Sequence, residues 1–122
     1  MNHFLDRNLE LKRGKDVGGD GVHVVLDPKL KMASGDDGYL HFSVVTTVAE
    51  EASWWALDSE HAVPSQVSVS LLRPATVSGG TITGVGRILR KGKNVMVAQG
   101  DTMQGGKLIC QVTATFVYFE KK

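Results

Sequence analysis

Between Phe42 and Leu57 the chain carries its one long helical pattern, and from there to Tyr118 it carries only strand patterns. Placed about 100° apart, Val44, Val45, Val48, Ala49, Ala52, Trp55 and Ala56 fall in one broad apolar stripe. Thr46, Thr47, Glu50, Ser53, Trp54 and Leu57 occupy the other side, and Glu51 sits at the stripe's edge. Valine is a poor intrinsic helix former, so packing against the rest of the chain has to hold this helix. With no second helix to cover the stripe, the strands must do it. The expected class is α+β, one sheet packed on one helix.

The strand patterns give the order. Gly21–Leu26 is a short strand stopped by Asp27-Pro28, and Ser34–Gly38 is a loop leading to Tyr39-Leu40-His41. After a connector from Asp58 to Ser65, Val67–Arg73 alternates and stops at Pro74. Thr81–Leu89 runs into the basic turn Arg90-Lys91-Gly92-Lys93, and a strand from Val95 breaks at Gln104-Gly105-Gly106. Lys107–Tyr118, rich in Val, Thr, Ile and Phe, is the longest strand pattern. The two glycine-bearing turns predict successive antiparallel hairpins. Residues 1–20 are expected to be an irregular N-terminal segment of a single domain spanning 1–122, since 122 residues suffice for one core.

Charge and composition narrow the function classes. A net charge of +1 gives no global attraction to nucleic acid or an anionic membrane, and no apolar run is long enough to span a bilayer. The N-terminus lacks the basic-then-apolar order of a secretory signal, so the expected compartment is the cytoplasm. The single cysteine, Cys110, excludes an internal disulfide and is read as a small buried residue. His3, His23 and His61 lack metal-ligand spacing, so neither metal nor cofactor is expected. Gly79, Gly80, Gly84 and Gly86 lack the Gly-Lys-Ser/Thr ending of a phosphate loop and are read as turn and strand-twist glycines.

Chemistry concentrates around the helix. Glu50 points away from the stripe, with Thr47 one turn before it and Trp54 one turn after it on the same face. Glu50 is open to two readings, a solvated helix glutamate or a carboxylate serving as general base or nucleophile. His41, just before the helix, either bonds to backbone or orients a carbonyl or water. The helix start offers unpaired N–H groups and a partial positive charge, so the N–H of Phe42 can polarise a carbonyl. Trp54 can line a pocket or pack across a subunit seam, and the seam is preferred. The basic turn Arg90-Lys91-Gly92-Lys93 is open to two readings, a solvated hairpin or a phosphate holder that presents charges and backbone donors together.

Several segments in order resemble the hotdog-fold acyl-CoA thioesterases of the phenylacetate-pathway type. They are Gly38-Tyr39-Leu40-His41, the carboxylate Glu50 nine residues later, Val67–Ala75, Arg87–Lys93 and Gly106–Gln111, which together cover about Leu26 to Phe119. The resemblance implies a long antiparallel sheet wrapped around one central helix. It also implies homodimers or homotetramers joined edge to edge, with active sites at the dimer interface and an acyl-CoA substrate. It maps the catalytic carboxylate onto Glu50, the loop histidine onto His41 and the carbonyl-polarising N–H onto Phe42. CoA contacts map onto Arg90, Lys91, Gly92, Lys93, Asn94 and Val95, with Arg73 and Ala75 near the pantetheine path. Where the family usually has Gly-Gly after the histidine, this chain has Phe42-Ser43, which puts a phenyl ring at the acyl pocket. Two other functions use the same parts. One is a non-catalytic acyl-CoA binder, and the other a hydratase or dehydratase of acyl thioesters, of whose His-Phe-Pro-Gly pattern only His41-Phe42 is present.

Overall fold

Helix α1 spans Phe42–Leu57, the bounds its periodicity predicts, and Val44, Val45, Val48, Ala49, Ala52, Trp55 and Ala56 are all buried. The structure is a computed structural model and describes residues 12–13, 21–35, 37–57 and 61–118. Around α1 run β1 (Lys12–Arg13), β2 (Gly21–Leu26), β3 (Ala62–Leu71), β4 (Ile82–Lys91), β5 (Val95–Gln104) and β6 (Lys107–Tyr118). They form one sheet in the order β1-β2-β4-β5-β6-β3, with every neighbouring pair antiparallel. Of the segment expected to be irregular, only Lys12 and Arg13 fall within the described residues, and they pair with Val25 and Val24. No helix among the described residues is long and apolar enough to cross a membrane.

The helix backbone packs directly on the sheet at three strand positions that carry no side chain. A Cβ on Gly100 would sit 1.8 Å from the Ala49 carbonyl oxygen, one on Gly86 2.1 Å from that of Ala52, and one on Gly84 2.8 Å from that of Val48. Gly84 and Gly86 are therefore seats for the helix backbone, a correction to their reading as strand-twist glycines. Thr102, buried beside them, donates its hydroxyl to the Val45 carbonyl at 2.6 Å and fixes the helix start over the end of β5. Larger side chains, Leu26, Ile82, Met96, Val112 and Phe116, fill the core around this seam.

Two boundaries differ from the sequence expectation. Strand β3 begins at Ala62, inside the expected connector, and Pro64 pairs with Phe116 within it. Proline is tolerated there because β3 is an edge strand and its register shifts between Pro64 and Gln66, so no ladder bond is lost. Arg90 and Lys91 belong to β4, paired with Val97 and Met96, and the turn itself is closed by Gly92 donating its N–H to Val95 at 2.9 Å. The connector residues 58–60 lie outside the described residues.

Candidate active site

The segment before α1 is tied down on both sides. Leu40 donates its N–H to the Ala75 carbonyl and His41 donates its own to that of Met32, both at 2.9 Å. His41 then caps the helix: its Nδ1 accepts the N–H of Ser43 at 3.1 Å and lies 2.7 Å from the Ser43 hydroxyl. A ring nitrogen that accepts a backbone N–H carries no proton, so the neutral ring holds its proton on Nε2. His41 thus fills the backbone-bonding role and still presents Nε2–H as a donor. The Phe42 N–H, at the first helical position, has no acceptor among the described residues. Its ring stacks on His41, with centroids 4.6 Å apart, and is 60% exposed.

A pocket of about 300 Å³ opens at this point, lined by Leu40, Phe42, Leu71, Leu72, Arg73 and Pro74. Its far wall is held by a shared acceptor, since Leu72 and Arg73 both donate their N–H groups to the Ile109 carbonyl, at 2.9 and 3.1 Å. Arg73, which the resemblance maps near the pantetheine path, lines this pocket. Ala75 does not, because its side chain is buried in the core and its carbonyl anchors Leu40.

Glu50 is half-buried in the middle of α1, and Thr47 and Trp54 beside it are half-buried too. Thr47 donates its hydroxyl to the Ser43 carbonyl at 2.7 Å, leaving only its lone pairs for a ligand. Trp54 packs edge-on to Trp55 with centroids 4.5 Å apart. Glu51 is buried at the stripe's edge, which separates the two adjacent glutamates into a core residue and an outward-facing one. Eight residues of helix put Glu50 about 12 Å along the axis from Phe42. Cys110 is fully buried on the helix-facing side of β6. Burial pushes its thiol above the ordinary range, which the Thr46 hydroxyl partly offsets and the Asp101 charge reinforces, so it is no nucleophile at neutral pH.

The basic turn forms a separate pocket of about 350 Å³, lined by Arg90, Gly92, Lys93, Asn94, Val95 and Val97, with Lys91 outside it. It sits at the far end of β5 from Thr102, which marks the helix start, so it is roughly 25 Å from Phe42 in the same chain. One chain therefore gathers His41, Phe42 and Arg73 at one end and the basic turn at the other.

No family model and no curated protein matches this sequence. Solved structures do match over nearly its whole length. A protein from Thermus thermophilus superposes with a TM-score of 0.85 at 18% identity, covering 98% of this chain and all of that one. A mutant of the phenylacetic acid degradation protein PaaI from the same organism gives 0.82 at 18% identity, covering 94% and 98% of the two chains. PaaI of E. coli, from the phenylacetic acid degradation operon, gives 0.78 at 21%, covering 92% and 86%. The chain has the hotdog fold. At such identities the likeness carries the fold alone.

In this hotdog sheet β3 is an open edge ten residues long. Val67, Val69 and Leu71 pair with Ala114, Val112 and Cys110, all fully buried, so they point to the helix side of the sheet. Yet they are 41%, 44% and 55% exposed, because α1 packs over β2, β4, β5 and β6. The sequence reading missed Leu40, Leu71 and Leu72 as pocket residues. The alternation of Val67–Leu71 held the signal for Leu71, whereas Leu40 and Leu72 reach the pocket only through the loop bonds to Ala75 and Ile109.

Proposed function

We propose that this protein hydrolyses acyl thioesters, with coenzyme A as the carrier, and does so as a dimer whose active sites lie between the subunits. The observation that carries the reading is the uncommitted Phe42 N–H at the start of the central helix, opening on an apolar pocket beside His41. A donor at that position stabilises the oxyanion that forms when a thioester carbonyl is attacked, and the helix dipole adds to it. The acyl group lies against Phe42, Leu71 and Leu72. Glu50 supplies the base or the nucleophile. As base it takes a proton from water, whose oxygen adds to the carbonyl; the C–S bond then breaks and the thiolate takes up a proton. As nucleophile its carboxylate adds instead, expelling the thiolate to leave an anhydride that water opens.

The separation of about 12 Å between Glu50 and Phe42 along one helix favours a site shared by two copies. If two β3 edges pair antiparallel about a twofold axis, the two helices run antiparallel, and Glu50 of one copy faces the Phe42 end of the other. The uncovered Val67, Val69 and Leu71 supply the apolar surface such a pairing would bury. The same pairing gives the remote basic turn a role, holding phosphate at the nucleotide end of the carrier for a site built with the other copy.

The test is release of free thiol from a panel of acyl-CoA thioesters. Wild-type protein is expected to turn over at least one, and Glu50→Gln is expected to lower that rate about a hundredfold or more. Unchanged turnover in Glu50→Gln removes Glu50 from the reaction. Binding without thiol release would make the protein an acyl-CoA binder, and hydration of an enoyl-CoA would make it a hydratase.

A further inference from the structure

A second pocket adjoins the one at Phe42 and is unlike it. About 420 Å³ in volume, it shares Arg73 and Pro74 with the apolar pocket and adds Lys107, Gly79, Gly105 and Gln104. Its side-chain charges are Arg73 and Lys107, with no acidic residue in the lining, and neither cation has an acidic partner among the described residues. Two uncompensated cations in one concavity repel each other, a cost that a bound anion removes.

The walls are fixed rather than loose. Arg73 is pinned through its N–H to Ile109, two residues from Lys107. The β5–β6 hairpin that carries Lys107 turns on Gly105 and Gly106, with φ of 58° and 75°, the tight two-residue geometry in which both central residues are left-handed. From the same hairpin, Gln104, the cross-strand partner of Lys107, clamps the loop after Pro74 with its side chain. Its oxygen accepts the Thr76 N–H at 3.0 Å, and its amide donates to the carbonyls of Thr76 at 2.8 Å and Gly80 at 3.0 Å. That polar side chain is only 8% exposed and is spent entirely on holding the pocket's rim.

We propose that Arg73 and Lys107 form an anion subsite for the ligand whose apolar part lies against Phe42, Leu71 and Leu72. The proposal deepens the thioesterase reading by giving the substrate an oxyanion, phosphate or carboxylate, one pocket away from the reacting carbonyl. This subsite is distinct from the basic turn at the other end of β5. The anion has two possible sources with one chemistry. It is either the phosphate of the carrier's phosphopantetheine arm or a carboxylate at the far end of the acyl group.

Binding, measured without turnover, tests the subsite independently of catalysis. Titration calorimetry would compare pantetheine with 4′-phosphopantetheine, which differ in the phosphate alone. It would also compare N-acetylcysteamine thioesters of a medium-chain acid with and without a terminal carboxylate. The anionic member of one pair should bind about tenfold tighter, the scale of a charge-assisted hydrogen bond. That preference should vanish in Lys107→Met, return in Lys107→Arg and weaken with salt. A phosphate preference names the carrier as the source, and a carboxylate preference names the acyl group. If neither pair is discriminated by wild type, or discrimination survives in a folded Lys107→Met and Arg73→Met, the subsite does not exist. Either result leaves the thiol-release test standing by itself.

Discussion

Phe42 offers a ligand two separable things, a backbone N–H and a ring. The N–H sits at the first helical position, where an α-helix makes no internal use of it, and the ring is stacked on His41 at the pocket mouth. Proline is favoured at this position for the same reason, because its missing N–H is one the helix does not need. Phe42→Pro should therefore keep the fold while deleting the oxyanion donor, lowering kcat about a hundredfold or more. Phe42→Ala keeps the donor and removes the ring, so it should shift the preferred acyl group and KM with a smaller effect on kcat. Steady-state kinetics of the two variants on the same thioester make the comparison. Equal kcat in both, in folded protein, would place the oxyanion elsewhere. On the proposed reading, the departure from Gly-Gly leaves the backbone donor in place and puts its consequence on the acyl pocket.

At the scale of elements, the contact between α1 and the sheet is set by three residues that lack side chains. Gly100 is the tightest, since a methyl there would stand 1.8 Å from the Ala49 carbonyl oxygen. Gly100→Ala should destabilise the protein by about 3 kcal/mol or more, as overpacking against rigid backbone does. Gly35→Ala is the control, because its Cβ would meet nothing closer than Asp37 at 4.0 Å, and it should stay within about 0.5 kcal/mol. Denaturant midpoints decide the matter, and equal values for the two would mean that the helix is free to lift. The same contact explains what was legible in the sequence. The period of Val44 to Ala56 located the helix, because burial on one side imposes that period. The glycine-bearing turns at Gly92 and at Gly105-Gly106 located the hairpins, because a tight reversal between strands favours glycine. What alternation could not carry was the purpose of Gly84 and Gly86, since a glycine that seats a helix looks like one that bends a strand. The beginning of β3 was hidden by Pro64, which is excluded from central strands but admitted at an edge. Edge position is a property of the whole sheet, absent from any local window. Among the pocket residues, Phe42 was legible from the helix start beside it, and Arg73 was named only by the family resemblance. Lys107 and Gln104 were not legible as lining the adjoining pocket, because its other wall is the loop from Arg73 to Gly79, far away in sequence.

At the scale of the molecule, the two edges of the sheet are unequal. Among the described residues β1 is two residues long, whereas β3 offers ten residues of open ladder and an apolar row that stays exposed beside the helix of its own chain. Long unprotected edges of that kind are rare in proteins that remain single, since they pair with whatever they meet. Pairing two β3 strands about a twofold axis satisfies the edge and brings the ends of two antiparallel helices past one another. The consequence for catalysis is specific, because it assigns the N–H and the carboxylate of each site to different chains. Mixing chains tests this directly. Dimers of Glu50→Gln alone, or of Phe42→Pro alone, should be inactive. Refolded together in equal amounts, half the dimers are mixed, and each mixed dimer has one site with Phe42 from one chain and Glu50 from the other. Activity should return to about a quarter of wild type, one intact site in two for half the population. A site built within one chain gives no such recovery, because every chain in the mixture lacks one of its two parts. Recovery in the mixture therefore separates a shared site from a private one even where the acyl group has not been identified, provided one thioester is turned over by the wild-type protein.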